Sequence, residues 1–283
     1  MRILLLVIFA YFNLQCFAQD KPVYHIYNSN GDRVSYQSMI EELSGANIVL
    51  FGEEHNCAIA HWLQYEVTAD LHKVRKLVLG AEMLEADNQD ELDDYLKGKI
   101  DKDAFDTLVR LWSNHETDYA PLVEFAKENK LKFIATNIPR RYASIVYKKG
   151  FEGLDALTKE EKKWIAPLPI PFDSELPEYK KILEIMGEHG TPELVKAQAI
   201  KDATMGYFIV ENRKKKELFI HYNGSFHSNY YEGIGWYLKQ YSEDEVTITI
   251  STVVQDDIEN LEDEHNGVAD FIICVDSNMT TTY

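Results

Sequence analysis

Six short apolar runs constrain this chain more than any other feature. They are "NIVLF" (47–51), "KLVLGAE" (76–82), "KFIATN" (132–137), "ELFIHYN" (217–223), "VTITIST" (246–252) and "DFIICVD" (270–276). Most are unbroken rather than alternating, the pattern of strands covered on both faces. Amphipathic stretches lie between them at 58–74, 90–97, 119–129 and 192–213, the last with Pro192 near its start, where proline suits a helix. Strand and helix in alternation predict an α/β fold, a largely parallel central sheet flanked by helices. Residues 150–193 depart from this rhythm. They carry a helical pattern with prolines at 167, 169, 171 and 177, and are expected to form a helical insertion packed over the sheet. There is no internal repeat and no low-complexity segment.

Four of the runs end in groups able to do chemistry. After "IVLF" comes Gly52-Glu53-Glu54-His55, "LVLGA" ends in Glu82, "KFIAT" ends in Asn137, and after "LFIHYN" comes Gly224-Ser225-Phe226-His227. In an open parallel sheet, ligands bind beyond the carboxyl ends of the strands. If the strands are parallel neighbours, all four groups meet on one edge. Each glycine permits a sharp exit from its strand, and each presents an imidazole three residues later. Two imidazoles and a carboxylate can hold a transition metal or do acid–base work without one. A carboxylate at the end of a buried strand needs a partner, so Glu82 is expected to have one.

Other residues are placed by the same logic. His61 stands one helical turn beyond the first glycine turn. Gln198 and Asp202, four apart, share a face of the 192–213 helix; either a solvated face or a site wall accounts for them. His25, His72 and His265 read as ordinary core or surface residues, and His115 and His189 as surface or cap residues. Of the 17 tyrosines, Tyr142, Tyr222, Tyr230 and Tyr231 lie near the expected edge, and a tyrosinate or a histidine can ligate haem iron.

The chain has 283 residues, with 47 Asp+Glu against 29 Lys+Arg. This acidic balance excludes nucleic acid as an expected partner, since phosphate binding needs basic clusters. "MRILLLVIFAYFNLQCFAQD" has an early arginine, a short apolar stretch and a small-residue exit at Ala18, a secretory signal pattern too short to span a bilayer. Residues 1–18 are therefore expected to be a signal peptide and 19–283 a single α/β domain, exported to the periplasm or cell envelope. A lipid anchor at Cys16 is the disfavoured alternative, because Asn13-Leu14-Gln15 lack the small residues of a lipoprotein signal. Cys57 and Cys274 are expected to be two separate buried thiols rather than a disulfide.

Taken in order, the pieces resemble the ChaN-like haem-binding uptake proteins of the Tiki superfamily. "FGEEHNCAIAHWLQ", "GAEMLEADNQDELDDYLKG", "LWSNHETDYAPLVEFAKENKLKFIATNIPRR", "AQAIKDATMG" and "YNGSFHSNYYEGIGWYL" are similar to successive segments of that family through nearly the whole mature chain. The resemblance implies an α/β fold, haem as cofactor, a role in iron acquisition, a capacity to form a homodimer, and outer-membrane uptake components as partners. It implies a ligand-binding set of Glu53, His55, His61, Glu82, Asn137, Arg140, Gln198, Asp202, His227 and Tyr230. The wider superfamily implies a second reading, a metal-dependent peptidase or esterase in which His55, Glu82 and His227 hold a divalent transition metal or act as catalytic groups. The chain departs from the family at Asn56-Cys57, where Asp-Asn is often found, and at Glu85-Ala86-Asp87, where an arginine often stands.

Overall fold

The computed structural model describes residues 21–242 and 245–283. The expected signal segment 1–18 and Cys16 lie outside the described residues. The chain runs β1 (Tyr24–Asn28), β2 (Arg33–Val34), α1 (Tyr36–Leu43), β3 (Ile48–Glu53), α2 (Ala58–His72), β4 (Lys76–Glu85), α3 (Gln89–Leu96), α4 (Lys102–Leu108), α5 (Ala120–Glu128), β5 (Lys132–Asn137), α6 (Arg140–Lys149), α7 (Pro177–Met186), α8 (Pro192–Asn212), β6 (Glu217–Gly224), α9 (Ile234–Tyr241), β7 (Thr247–Gln255) and β8 (Phe271–Asp276). All six apolar runs are strands of one eight-stranded sheet, ordered β2-β1-β8-β7-β3-β6-β4-β5. The six pair in parallel. β1 and β2 add an antiparallel hairpin on the β8 edge.

Both faces of the sheet are covered, as the unbroken apolar runs require. One face carries Val49, Phe51, Leu79 and Ile220 against α1 to α5. The other carries Ile48, Leu50, Val78 and Phe219 against Met205 and Ile209 of α8 and Ile234 and Leu238 of α9. Each such side chain contributes roughly 1.5–3 kcal/mol when fully buried. Gly80 sits in mid-strand because the Phe219 ring lies across it; a Cβ there would fall 2.7 Å from that ring. Thr191 caps α8, accepting from Leu194 N at 3.2 Å, with Pro192 beginning the helix.

Residues 150–193 do form a helical insertion, but it packs on the helices rather than on the sheet. Leu154, Ile165 and Tyr179 join Val146 of α6, Ile200 of α8 and Tyr237 of α9 in a separate core. The sheet face beneath is already filled by α8 and α9, so the insertion forms a further layer.

The β5 edge of the sheet is closed by a side chain. Gln89 Nε2 donates to Phe133 O at 3.1 Å, and Ala135 N donates to Gln89 Oε1 at 2.8 Å. The amide takes the place of a neighbouring strand at the site where an open edge would invite one. Gln89→Leu leaves both backbone groups unpaired and is expected to lower unfolding free energy by about 1–2 kcal/mol, read as a reduced denaturation midpoint with unchanged slope.

Candidate functional site

The carboxyl ends of β3, β4, β5 and β6 lie side by side, and their terminal groups meet there. Glu53 and Gly224 are directly paired across β3 and β6. Gly224 lets the next side chain approach, because a Cβ on it would stand 2.8 Å from the His55 ring. Both glycine-x-x-histidine turns therefore converge, as read from the sequence, but their imidazoles enter different environments.

His55 is held from behind and open in front. Its Nδ1 lies 2.9 Å from Glu53 Oε1, and its side chain remains 36% exposed. Trp112 packs edge-on against the ring, with centroids 5.0 Å apart. Glu53 is buried and also accepts from Tyr119 OH at 2.7 Å and Gln64 Nε2 at 2.6 Å. His61 lies behind this pair, 3.4 Å from Glu53 Oε2 and 3.1 Å from the His55 carbonyl. Burial pulls the His55 pKa down, but the Glu53 hydrogen bond and the charges of Glu82 and Glu53 outweigh it and raise the value, against the opposing charge of His227. A carboxylate on Nδ1 fixes the ring and leaves Nε2, beside Gly224, without a hydrogen-bond partner among the described residues, the arrangement that orients metal-ligating and basic histidines.

His227 is sealed. Its Nε2 lies 3.1 Å from Glu82 Oε1, and its Nδ1 is hydrogen-bonded to Asp202 Oδ1. All three groups are buried. Glu82 Oε2 accepts from Gly224 N at 2.8 Å, and Asp202 Oδ2 accepts from Tyr179 OH at 2.8 Å. Burial alone would lower the His227 pKa, but the two flanking carboxylates push it up to about 10. Burial likewise works against ionised Glu82, yet His227, His55 and the Gly224 N–H hold its carboxyl well below the usual carboxylate range. Asp202 comes within reach because α8 approaches closely: Ala199 and Ala203 are fully buried, and a Cβ on Gly206 would stand 3.0 Å from Tyr237 Cβ. Gln198, one turn earlier, places Nε2 3.1 Å from His227 Nδ1.

In front of His55 lies a cavity of about 770 Å³. Glu82, Asn137 and His227 form part of its lining, Trp112, Ile138 and Tyr147 give it apolar wall, and Arg140 and Lys201 bring cations. Asn137 Nδ2 donates to the Glu82 carbonyl at 2.8 Å, while its buried Oδ1 has no partner among the described residues. Arg110 also lines the cavity but pairs with Glu85. Of the ten residues proposed to bind a ligand, His55, Glu82, Asn137, Arg140 and His227 line this space. Glu53, His61, Gln198 and Asp202 are absent from its lining. Tyr230 belongs to a different cavity, on the far side of the β3 turn.

The other three tyrosines singled out in the sequence have their hydroxyls engaged elsewhere. Tyr142 and Tyr222 are buried, with hydroxyls on Glu161 and Thr68, and Tyr231 bonds to Asp270. The metal triad is not assembled. Among the described residues, the group whose ligand atoms all come within 4.8 Å is Glu262, Glu264 and His265. His55, Glu82 and His227 do not close to that distance, and His227 has both nitrogens on carboxylates. His115 proves to be buried beside Phe105, which lowers its pKa. Cys57 and Cys274 are separate buried thiols.

Sequence reading missed the supports supplied by distant loops. Tyr179 comes from the insertion. Thr282 donates to Asp118 Oδ2 at 2.9 Å and its N–H to Asn56 O at 3.0 Å, which lays Tyr283 along the cavity. No local pattern marks either segment.

A family model described as haem-binding uptake, Tiki superfamily, ChaN, matches residues 39–238. The solved structure of ChaN of Campylobacter jejuni, described as showing cofacial haem binding, superposes with a TM-score of 0.66 at 20% identity, over 89% of this chain and 96% of that one. The chloroplastic protein RETICULATA-RELATED 5 of Arabidopsis thaliana is 26% identical over 188 residues, 60% of this chain and 25% of its own length. The chain thus spans a quarter of that curated relative.

The buried Glu82–His227–Asp202 cluster carries a pH signature. The raised His227 pKa contributes stability in full below the ordinary value of 6.5, and that contribution declines as pH rises toward about 10. His227→Gln leaves two buried carboxylates without their cation and is expected to cost about 3–5 kcal/mol at pH 6. The gap between variant and wild type should narrow between pH 6.5 and 10, measured by denaturant unfolding across that range.

Proposed function

The chain belongs to the haem-binding uptake family of the Tiki superfamily (ChaN), and from that premise we propose that it binds haem in the cavity in front of His55. The observation that carries the reading is the open imidazole of His55, backed by the Glu53 carboxylate and facing a space of about 770 Å³. The residues suit the group. Trp112, Ile138 and Tyr147 offer apolar contact for a porphyrin face, and Arg140 and Lys201 offer cations for its carboxylates. Asn137 Oδ1, without a partner among the described residues, is an acceptor that a ligand here could use. Bound haem would supply an iron for a protein side chain to ligate. His55 Nε2, Tyr147 and Tyr283 are the iron-ligating groups that line the cavity. His227 plays no ligand role; it anchors Glu82 and keeps the cavity wall in place.

The leader pattern at 1–18 supports export to the cell envelope and a part in iron acquisition. A second copy of the chain and outer-membrane uptake components are the partners this role calls for. The hydrolase reading retains one supporting feature, the Glu53–His55 pair, which has the geometry of a general base.

Haemin added to protein lacking residues 1–18 is expected to give a saturable Soret shift. His55→Ala should weaken binding about tenfold or more, about 1.4 kcal/mol or more, or change the ligand-field bands. If Tyr147→Phe or Tyr283→Phe does so instead, the cavity stands and the ligand moves. If no variant in this cavity matters while Tyr230→Phe abolishes the shift, haem belongs in the other cavity. No saturable shift at all, with turnover of ester substrates lost in His55→Ala, would replace haem binding by hydrolysis.

A further inference from the structure

The turn after β3 divides the carboxyl edge of the sheet into two spaces. His55 faces the first. Glu54 faces the second, a cavity of about 690 Å³ at the ends of β7 and β8. We propose that this second cavity is a binding site for a small organic cation with an apolar body.

Part of its wall is apolar. Val253, Val268, Val275 and Met279 line it, and Phe226 stands at its margin, 37% exposed. Tyr230 and Tyr231 are both left-handed, with φ of 54° and 62°, a conformation that costs free energy in non-glycine residues and persists where the surroundings impose it. Tyr230 N donates to Val268 O at 2.7 Å and its hydroxyl donates to Glu264 O at 3.2 Å, so the ring is fixed at both ends. Phe226 and Tyr230 then face a common point. The ammonium of Lys181 occupies it, 5.9 Å from the Phe226 centroid and 5.8 Å from the Tyr230 centroid. Two aromatic faces about one cation form a cation–π site, and Lys181 acts as its built-in occupant.

The charge of the lining favours the same ligand class. Glu54, Glu264 and Asp276 set three carboxylates against Lys181, in a chain of net charge −18. An anionic ligand meets repulsion there. An organic ammonium can take the place of Lys181 between the rings while its apolar part lies along the valines. Lys181 sits in α7, whose exposed surface allows the side chain to swing out.

The test uses the protein lacking residues 1–18 and three probes of similar size: benzyltrimethylammonium, phenylacetate and benzyl alcohol. Calorimetry or ligand-observed NMR should find saturable binding of the ammonium, with phenylacetate and benzyl alcohol at least about fivefold weaker, about 1 kcal/mol. Phe226→Ala, at an exposed position, should weaken ammonium binding at least about threefold, and Lys181→Met should strengthen it by removing the competitor. His55→Ala should leave it unchanged, which separates this site from the haem cavity. Equal binding of all three probes, preference for phenylacetate, or indifference to both Phe226→Ala and Lys181→Met would each overturn the proposal.

Discussion

The site is organised by one imidazolium between two buried carboxylates. Burying three ionisable groups is costly unless they satisfy one another, and here each does. His227 spends both ring nitrogens, one on Glu82 and one on Asp202. The remaining oxygens are taken by Gly224 N and Tyr179 OH. The four partners come from β4, from α8, from the end of β6 and from the insertion. A single cluster therefore ties the sheet edge to α8 and to the outer helical layer. Loss of His227 strands two carboxylates in the interior, and loss of a carboxylate or of Tyr179 leaves a buried polar atom without its partner, so these elements hold their mutual positions together.

This cluster also explains why the two glycine-x-x-histidine turns are unequal. They have the same spacing and the same strand-end position, and parallel register brings them together. Yet α8 lies over the second turn and supplies Asp202, while the first meets Glu53 on one side and open space on the other. The first imidazole keeps a free nitrogen at the cavity; the second has none. A motif fixes where a ring is placed, and the neighbouring layer decides whether it can bind or only support. Of the two imidazoles only His55 is left in a position to meet a ligand, while the charge of His227 keeps Glu82 ionised in the cavity wall.

The same distinction governs what could be read from the residues alone. Continuous apolar runs marked every strand of the parallel sheet, because burial on both faces leaves a signal within each segment. The hairpin of β1 and β2 went unread: "YHIYN" is short, and Arg33–Val34 is only two residues long. Strand-end placement identified His55, Glu82, Asn137 and His227, because parallel pairing turns sequence position into a common edge. Nothing local separates Tyr230 from that edge. Only the strand order, with β7 and β8 on the opposite side of β3 from β6, β4 and β5, assigns it to the other cavity. Gln89, within the second of the segments that carry the resemblance, proves to close a sheet edge, a role set by a strand over forty residues away in sequence.

The two cavities follow from that strand order. The chain leaves β3 toward β4 on one side and later returns, through β6, to β7 on the other, so connections depart in opposite directions about the centre of the sheet. Such a reversal opens a crevice at the carboxyl edge. In this chain the crevice is not left whole, because the β3 turn projects into it and is pinned from outside: Thr282 N donates to Asn56 O and Thr281 pairs with Cys57. A glycine, two glutamates and a histidine at the end of β3 therefore serve as a partition. Glu53 is buried within it, His55 faces the polar and cationic side, and Glu54 faces the apolar and acidic side. Glu54 follows the last strand residue and His55 enters the turn closed by Cys57 N–H on Glu54 O at 2.9 Å, so three consecutive residues give one sheet edge two chemically distinct faces.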